Sequence, residues 1–260
     1  MYLTTQGLVI RVTPYNDTDA LLTLLTPNHG KLTVKARGLT RKNSSLVAPC
    51  QLLAYGEFTL FEYRNFYTIN EAYSIALFSG LRRDLLKLSL GTYFAQVAEV
   101  LSQEDLPNPE LLSLTLNCLH ALEKIQIPID QIKAVFELRS ACIAGYTPDL
   151  NCCHICGHQD ADRLNIMTGL LECSGCRQAD SQGIRMQVTA GMLEAMRYIC
   201  DCEPKKLFHF TLGEDALAKL SYVTEGYLST QLERGFSTLD FYKELLIPLD
   251  RAAVLGEENG

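Results

Sequence analysis

The sequence predicts an α+β protein in which a small N-terminal β-barrel precedes a helical region that carries a cysteine-rich insert. Apolar residues alternate with a period of two in the first part of the chain and follow a helical period from about residue 81. Two paired cysteine motifs then interrupt the helical pattern. We expect the barrel in residues 1–80, the helical domain in 81–147 and 183–247, the insert in 148–182 and a mobile tail in 248–260.

The barrel is predicted from five short apolar runs that are separated by turn residues. The hairpin between the second and third runs contains Pro27, Asn28 and Gly30, where proline fixes φ and the other two accept a positive φ. Five short strands suit a closed barrel, and the OB-fold is the five-stranded form that binds nucleic acids. The predicted strands are Gly7–Val12, Ala20–Thr26, Lys31–Arg37, Gln51–Phe61 and Phe66–Tyr73.

The helical region is predicted from apolar stripes and from residues that start or stop helices. Asn108 followed by Pro109 predicts a helix start, and Gly145 predicts a helix end. Two further helices are expected at about 189–201, capped by Thr189, and at about 213–233. The first stripe consists of Leu86, Leu90, Tyr93, Val97 and Leu101.

The stretch KLTVKARGLTRK, residues 31–42, concentrates positive charge in an acidic chain. It holds five basic residues and no acidic one, although the formal net charge of the chain is −7. Strict alternation would place the basic residues of the third strand on one solvent face, which predicts a contact with a polyanion. An ordinary solvated face is the alternative. The predicted phosphate contacts are Lys31, Lys35, Arg37, Arg41 and Lys42. Arg82 and Arg83 either extend this phosphate-binding surface or simply flank the start of a helix.

Aromatic side chains lie close to the predicted hairpin between the last two strands of the barrel. Tyr63, Phe66 and Tyr67 would add stacking on nucleic-acid bases if they point outward. The alternative is that they pack in the barrel core or within the hairpin.

The strongest chemical signal is the pattern C-x₂-C-x₁₆-C-x₂-C, formed by Cys153, Cys156, Cys173 and Cys176. Each C-x₂-C turn presents two thiolates, and four thiolates satisfy tetrahedral Zn²⁺ completely, so one structural zinc ion is predicted. Alternatives are Cys152 in place of Cys153, a redox C-x-x-C pair and free thiols in a loop. The more isolated cysteines are expected in the core: Cys50, Cys118, Cys142, Cys200 and Cys202.

The motifs that the sequence lacks argue for a binding protein and against an enzyme. There is no phosphate-binding G-x-x-x-x-G-K-[ST] loop, no G-x-G-x-x-G, no H-E-x-x-H and no G-x-S-x-G. We expect no signal peptide, because the N-terminus lacks a basic region followed by an apolar one. No apolar run reaches the length of a membrane span, and ten cysteines without a secretory signal indicate reduced thiols in the cytosol.

Taken together, these pieces resemble the bacterial RecO family of recombination-mediator DNA repair proteins over nearly the whole chain. The opening GLVIRV, then YNDTDALLTLLTPNHGKLTVKARGLTRKNSS, is similar to the family's beginning in order and spacing. FELRSACIAGYTPDLNCCHICG resembles its lead into the first zinc-binding turn, and LLECSGC supplies the second. Where the family often has Gly-Glu after the tyrosine of the first turn, this chain has Asn16 and Asp17.

The resemblance implies a non-enzymatic, cytoplasmic and nucleoid-associated protein that binds single- and double-stranded DNA and anneals complementary strands. It also implies that the protein acts with RecR to help RecA displace the single-strand-binding protein (SSB), and that the helical domain receives the acidic C-terminal tail of SSB. Arg139, which borders an apolar stripe, is the candidate for binding that tail. The alternative is that Arg139 is a surface residue whose aliphatic stem packs against the apolar stripe. The rival functions are RNA binding through the same modules and a protein adaptor.

Overall fold

The structure is a computed structural model that describes residues 1–64, 66–176 and 183–247. The predicted mobile tail, residues 248–260, lies outside the described residues. The chain forms two compact units, one made of Met1–Leu112 and the chain from Phe236, the other of Ser113–Gly235. None of the helices in the described part is long and apolar enough to span a bilayer.

Five strands of the first unit form a closed barrel, as predicted. Their order around the barrel is β1-β2-β3-β5-β4, and β4 pairs with β1 to complete the closure. Neighbours are antiparallel except β3 and β5, which run parallel through Val34 with Tyr67 and Lys35 with Thr68. The strands are β1 (Tyr2–Pro14), β2 (Ala20–Thr26), β3 (Gly30–Ala36), β4 (Tyr55–Tyr63) and β5 (Phe66–Ala76).

The barrel core is apolar because each strand turns alternate side chains inward. Burying these side chains removes their apolar surface from water, which is the main favourable contribution to folding. The core consists of Val9, Ala20, Leu22, Leu24, Leu32, Val34, Ala36, Cys50, Ala54, Phe58, Leu60 and Ile69. The five-stranded OB-fold barrel predicted from sequence is therefore confirmed.

A long connection, residues 37–54, joins β3 to β4 and folds as a series of turns. Its last residues lie against β1, since the N–H of Leu53 donates to the carbonyl of Val9 at 2.8 Å and the N–H of Val9 donates to the carbonyl of Ala54 at 2.9 Å. The predicted fourth strand therefore begins too early at Gln51. Leu53 has a φ of +65°, which excludes a strand there.

Two helices complete the first unit, α1 (Leu85–Leu101) and a short helix near the end of the chain, Ser237–Leu245. The carboxylate of Asp84 caps α1 by accepting from the N–H of Leu86 at 3.0 Å and of Lys87 at 3.1 Å. The helix Ser237–Leu245 was not predicted from the sequence, because nine residues give a helical period too few repeats to be seen.

The second unit combines helices with a small sheet. Thr189 and Gly145 mark the predicted helix ends: the hydroxyl of Thr189 accepts from the N–H of Met192 at 3.3 Å, and Gly145 has a φ of +91°. The elements after α1 are α2 (Pro109–Lys124), α3 (Ile129–Ile143), β6 (Asp149–Cys153), β7 (Arg163–Asn165), β8 (Leu170–Glu172), β9 (Arg185–Gln187), α4 (Ala190–Asp201), α5 (Glu214–Gln231) and α6 (Ser237–Leu245), the last of which belongs to the first unit. The order of the strands in the small sheet is β6-β8-β7-β9.

A buried charge cluster joins α3 to α5 inside the second unit. The ammonium group of Lys133 lies 2.9 Å from a carboxylate oxygen of Glu137 and 2.8 Å from one of Glu225. The hydroxyl of Thr224 donates to Glu137 at 2.8 Å. Burial raises the pKa of Glu137, whereas Lys133 favours its ionised form. The lysine therefore compensates carboxylates that the interior would otherwise disfavour.

Candidate nucleic-acid interface and metal centre

The basic residues of β3 follow the alternation that the sequence predicts. Leu32 and Val34 are buried in the barrel, while Lys31 and Lys35 are half-buried and Thr33 is exposed on the outside. The pleat thus separates core side chains from cationic ones, as expected for a strand with one solvated face. The contacts of the individual cations differ, however, from one end of the strand to the other.

At the C-terminal end of β3, Lys35 forms an ion pair with Asp19, which directly precedes β2. The Nζ atom of Lys35 lies 3.0 Å from Oδ2 of Asp19 and 4.3 Å from the ring centroid of Tyr15. The N–H of Gly38 donates to Oδ1 of Asp19 at 2.8 Å. These contacts, from Gly38 first and Lys35 second, hold the pKa of the Asp19 carboxyl well below its usual range.

At the N-terminal end of β3, Lys31 lies among acidic groups. Its ammonium group donates to the carbonyl of Glu99 in α1 at 3.2 Å. A groove beside it is lined by Glu62, Glu104 and Asp105. These carboxylates would repel a phosphate, so Lys31 is the least favourable of the predicted phosphate contacts.

The other predicted contacts of this stretch, Arg37, Arg41 and Lys42, are exposed at the start of the connection after β3. None of the three side chains forms an ion pair with any residue in the ranges 1–64, 66–176 and 183–247. Thr40 fixes the backbone between them, because its N–H donates to the carbonyl of Thr18 at 3.2 Å and its hydroxyl donates to the carbonyl of Asp17 at 2.9 Å. The three exposed cations therefore belong to one loop whose backbone is anchored at Thr40.

Arg82 and Arg83 are exposed on a 3₁₀ turn, Leu81–Arg83, just before α1. The guanidinium group of Arg82 donates to the carbonyl of Leu52 at 2.9 Å. Leu52 belongs to the 37–54 connection, so Arg82 adds positive charge next to the far end of the segment that begins with Arg37.

The aromatic side chains at the β4–β5 hairpin point outward. Tyr63 is 60% exposed and Phe66 is 77% exposed, and the two residues face each other in the strand register. Packing in the barrel core is therefore excluded for this pair. Tyr67 is half-buried, and burial together with nearby Glu62 and Asp105 raises its pKa. Tyr63 and Phe66 thus expose ring surface on which a base can stack, although the guanidinium carbon of Arg64 lies 5.2 Å from the centroid of the Tyr63 ring. Tyr67 instead faces negative charge.

In the second unit, the four cysteines predicted as ligands form one cluster. The sulfur atoms of Cys153, Cys156, Cys173 and Cys176 all lie within 4.8 Å of one another. Two of the separations are 3.4 Å, between Cys156 and Cys173, and 3.3 Å, between Cys173 and Cys176. Ligands about 2.3 Å from a tetrahedral zinc ion are separated by about 3.8 Å, so the arrangement fits a metal ion.

Tight turns present these thiols. The N–H of Gly157 donates to the carbonyl of Cys153 at 2.8 Å, and the N–H of Cys176 donates to the carbonyl of Cys173 at 3.0 Å. Burial raises the pKa of Cys153, but the backbone N–H groups of Cys156, Ile155 and Cys173 outweigh it and lower the pKa to about 6. Cys153 therefore favours the thiolate, which is the form that binds metals, whereas hydrogen bonding within the cluster raises the pKa of Cys176.

The structure also decides between the alternatives for the first ligand. In the part of the chain that the structure describes, Cys152 does not belong to the sulfur cluster, and Cys153 does. Neither His154 nor His158 joins the cluster in those residues. The Nε2 atom of His154 instead lies 3.8 Å from Glu172, which accepts from Arg185 at 2.6 Å. The carboxylate of Glu172 thus supports the strands next to the cluster without replacing a thiol.

Arg139 has partners within its own unit. Its guanidinium group donates to the carbonyls of Ile199 at 3.1 Å and of Cys200, both in the last turn of α4. A cation at this end of a helix compensates carbonyls that lack helical partners and stabilises the helix dipole. The expected binding of an SSB tail by Arg139 stays a prediction.

The comparisons with known proteins agree over both units. The family described as "Recombination protein O N terminal" matches residues 1–78, and the one described as "Recombination protein O C terminal" matches residues 82–240. The chain is 34% identical to the "DNA repair protein RecO" of Acetivibrio thermocellus, over 94% of this chain and 97% of the relative. It is 29% identical to the proteins of that name from Alkaliphilus metalliredigens, over 94% and 100%, and Bacillus subtilis, over 85% and 86%.

Proposed function

This chain belongs to the RecO family of DNA repair proteins, and from that premise we propose that it binds single- and double-stranded DNA without sequence preference and anneals complementary strands. The predicted OB domain of residues 1–80 would supply the DNA-binding surface. Contacts with phosphates carry no sequence information, which accounts for the lack of preference.

The observation that carries this proposal is the exposed set Arg37, Arg41 and Lys42 on a loop anchored through Asp19. Phosphate binding by a pre-positioned loop avoids the entropic cost of ordering it. Lys35 and Arg82 add positive potential on either side of these cations, although each also has a partner within the chain. Tyr63 and Phe66 supply exposed rings for unpaired bases, and Arg83 is a further exposed cation of the set.

We further propose that the protein is a mediator and not an enzyme. Acting with RecR on SSB-coated DNA, it would load RecA onto the exposed strand in the nucleoid. In this proposal the second unit receives the acidic tail of SSB. Arg139 is the candidate contact, but its guanidinium group would have to serve the tail and the end of α4 together.

The metal in this proposal is one structural Zn²⁺ ion held by the four clustered cysteines. Four thiolates leave no open coordination position, so the ion would supply folding free energy and no catalysis. Cys153 ends β6 and Cys173 directly follows β8, so the ion would tie these two short strands together, as a metal does in a small domain.

The test is annealing of complementary DNA strands, bare and coated with SSB, by the wild-type chain and by the triple variant Arg37→Ala, Arg41→Ala, Lys42→Ala. We expect the variant to anneal both substrates more slowly and to bind single strands more weakly. The matched control is Lys205→Ala with Lys206→Ala, which removes exposed cations from the second unit. Equal loss of annealing in the control and the variant would contradict the proposed surface.

RNA binding is separated from DNA binding in the same experiment. DNA and RNA oligonucleotides of equal length compete for the wild-type chain, and the proposal expects DNA to be preferred. Preference for RNA would support the rival function. Absence of any nucleic-acid binding at low salt would support the adaptor function instead.

A further inference from the structure

Three further cysteines of the second unit, Cys142, Cys200 and Cys202, lie near one another but outside the cysteine cluster. Cys142 and Cys200 are in contact, and Cys202 is two positions after Cys200. Cys142 is in the last turn of α3, Cys200 is in the last turn of α4, and Cys202 directly follows α4. All three are half-buried, so the expectation that they are core residues is wrong, whereas it is confirmed for Cys50 and Cys118. Half-buried thiols are accessible to small oxidants.

Two of these thiols are in contact. The sulfur atoms of Cys142 and Cys200 lie 3.5 Å apart, although the residues are separated by 58 positions in the sequence. Arg139, one turn before Cys142, holds the last turn of α4 against α3 through the carbonyls of Ile199 and Cys200. The contact between the sulfur atoms is therefore fixed by the packing of the two helices.

The surroundings favour a thiolate at Cys142. The hydrogen bond between the Cys142 and Cys200 sulfur atoms lowers the pKa of Cys142 to about 7, against the effect of burial, and the guanidinium group of Arg139 adds to this lowering. Burial raises the pKa of Cys50 to about 12, and it also raises the pKa of Cys118. Because the thiolate is the reactive form, Cys142 is the more reactive of these thiols.

We propose that Cys142 and Cys200 form a reversible disulfide when the chain meets hydrogen peroxide. The Cys142 thiolate attacks one peroxide oxygen, the S–O bond forms, the O–O bond breaks, and the departing hydroxide takes up a proton to become water. The Cys200 sulfur then attacks the sulfenic sulfur of Cys142, the S–S bond forms, and the hydroxyl group leaves as water with the Cys200 proton. Two thiols are oxidised, one peroxide is reduced, and two water molecules result.

The geometry requires only a local adjustment. The sulfur atoms must approach from 3.5 Å to about 2.0 Å, the length of a disulfide bond. Cys202 is a poorer partner, because its thiol contacts the carbonyl of Ile199 at 3.9 Å, whereas the Cys200 sulfur lies 3.5 Å from that of Cys142. Cys200 is therefore the resolving residue.

The disulfide would enclose the metal cluster in a covalent loop. Residues 142 to 200 include both cysteine turns, Cys153–Cys156 and Cys173–Cys176. A cross-link of this kind restricts the unfolded chain and so stabilises the folded one. When the metal is lost, the oxidised protein would keep a covalent link between the ends of α3 and α4, whereas the reduced protein would have only their packing and the hydrogen bonds of Arg139.

The experiment treats the full, metal-loaded chain with hydrogen peroxide, blocks the remaining thiols by alkylation and digests with trypsin and chymotrypsin. Cleavage after Arg139 and Tyr146 isolates Cys142 from the metal ligands in the peptide SACIAGY, and cleavage after Tyr198 and Lys205 gives ICDCEPK. Mass spectrometry is expected to find the two peptides linked, and dithiothreitol to separate them. The link is expected to persist in Cys202→Ser and to be lost in Cys200→Ser and Cys142→Ser.

Two results would overturn the inference. One is the absence of the linked peptides in the wild-type chain at a peroxide concentration that already oxidises the cluster thiols. The other is a link that survives in Cys200→Ser. A second readout does not depend on peptide mapping: after chelation, the oxidised wild-type chain should unfold at a higher denaturant concentration than the reduced one, and Cys142→Ser should show no such shift.

Discussion

The Nζ atom of Lys35 lies 3.0 Å from Oδ2 of Asp19, and this ion pair fixes the point at which the basic loop leaves the barrel. The same carboxylate accepts from the N–H of Gly38 through its other oxygen, at 2.8 Å. Asp19 therefore orients the segment that carries Arg37 and Arg41. An acidic residue thus supports a surface that we propose to bind an anion.

Replacing Asp19 with Asn should destabilise the protein at neutral pH. The substitution removes the negative charge that pairs with the ammonium group of Lys35 and that accepts from the N–H of Gly38. The folded-state pKa of Asp19 is depressed, so its contribution is present above the unfolded pKa of about 3.9 and is lost as pH falls toward the folded value. Urea unfolding of Asp19→Asn and wild type should therefore differ from pH 7 down to about 4 and converge below. Asp17→Asn, an exposed neighbour, is the control and should behave as wild type throughout.

Replacing Arg41 and Lys42 with Ala should reduce the salt dependence of DNA binding. If each contacts one phosphate, the slope of log K against log salt on single strands should fall by about 1.4, since each contact contributes about 0.7. Lys31→Ala should leave the slope almost unchanged, because Lys31 contacts the carbonyl of Glu99. Titrations at several salt concentrations measure both. A larger fall for Lys31→Ala than for the pair would mean that DNA lies across the other end of β3.

Replacing Cys176 with Ser should abolish metal binding, whereas Cys152→Ser should retain one metal ion per chain. The reason is that Cys176 belongs to the sulfur cluster and Cys152 does not. Elemental analysis of the purified variants measures the metal content and its identity, for which we expect zinc. We also expect faster proteolysis between residues 149 and 187 in Cys176→Ser. Equal metal content in the two variants would show that the cluster is not the ligand set.

Replacing Lys133 with Met should destabilise the second unit by about 3–5 kcal/mol, the usual result of removing one partner from a buried ion pair. The carboxylates of Glu137 and Glu225 would then lose the ammonium group with which both of them pair. Adding Glu137→Gln should recover part of the loss, because one buried charge is removed. Lys219→Met, at an exposed position of α5, is the control. Chemical denaturation measures the free energy of unfolding of the wild type and the three variants. A double variant that is less stable than Lys133→Met alone would contradict this account.

The barrel and the cysteine cluster were predictable from the chain alone, because both depend on local spacing. Alternating side chains in β3 separate the core from the solvent face whatever the barrel packs against, and two residues between paired cysteines allow both thiols to turn toward one ion. Such patterns repeat within a few residues, which makes them readable. The α6 helix was missed for the opposite reason, since nine residues hold too little of a pattern.

The availability of each cation and the contacts between thiols became known only from the folded arrangement of the chain. The ammonium group of Lys31 donates to the carbonyl of Glu99, 68 positions away. Arg139 donates to carbonyls at the end of α4, and the sulfur of Cys142 contacts that of Cys200. No local signal in the sequence indicates that Asp19 accepts from Gly38 and pairs with Lys35. Ion pairs, hydrogen bonds and sulfur contacts act over about 3–4 Å, so for residues distant in the sequence they exist only once the folded chain has brought those residues together.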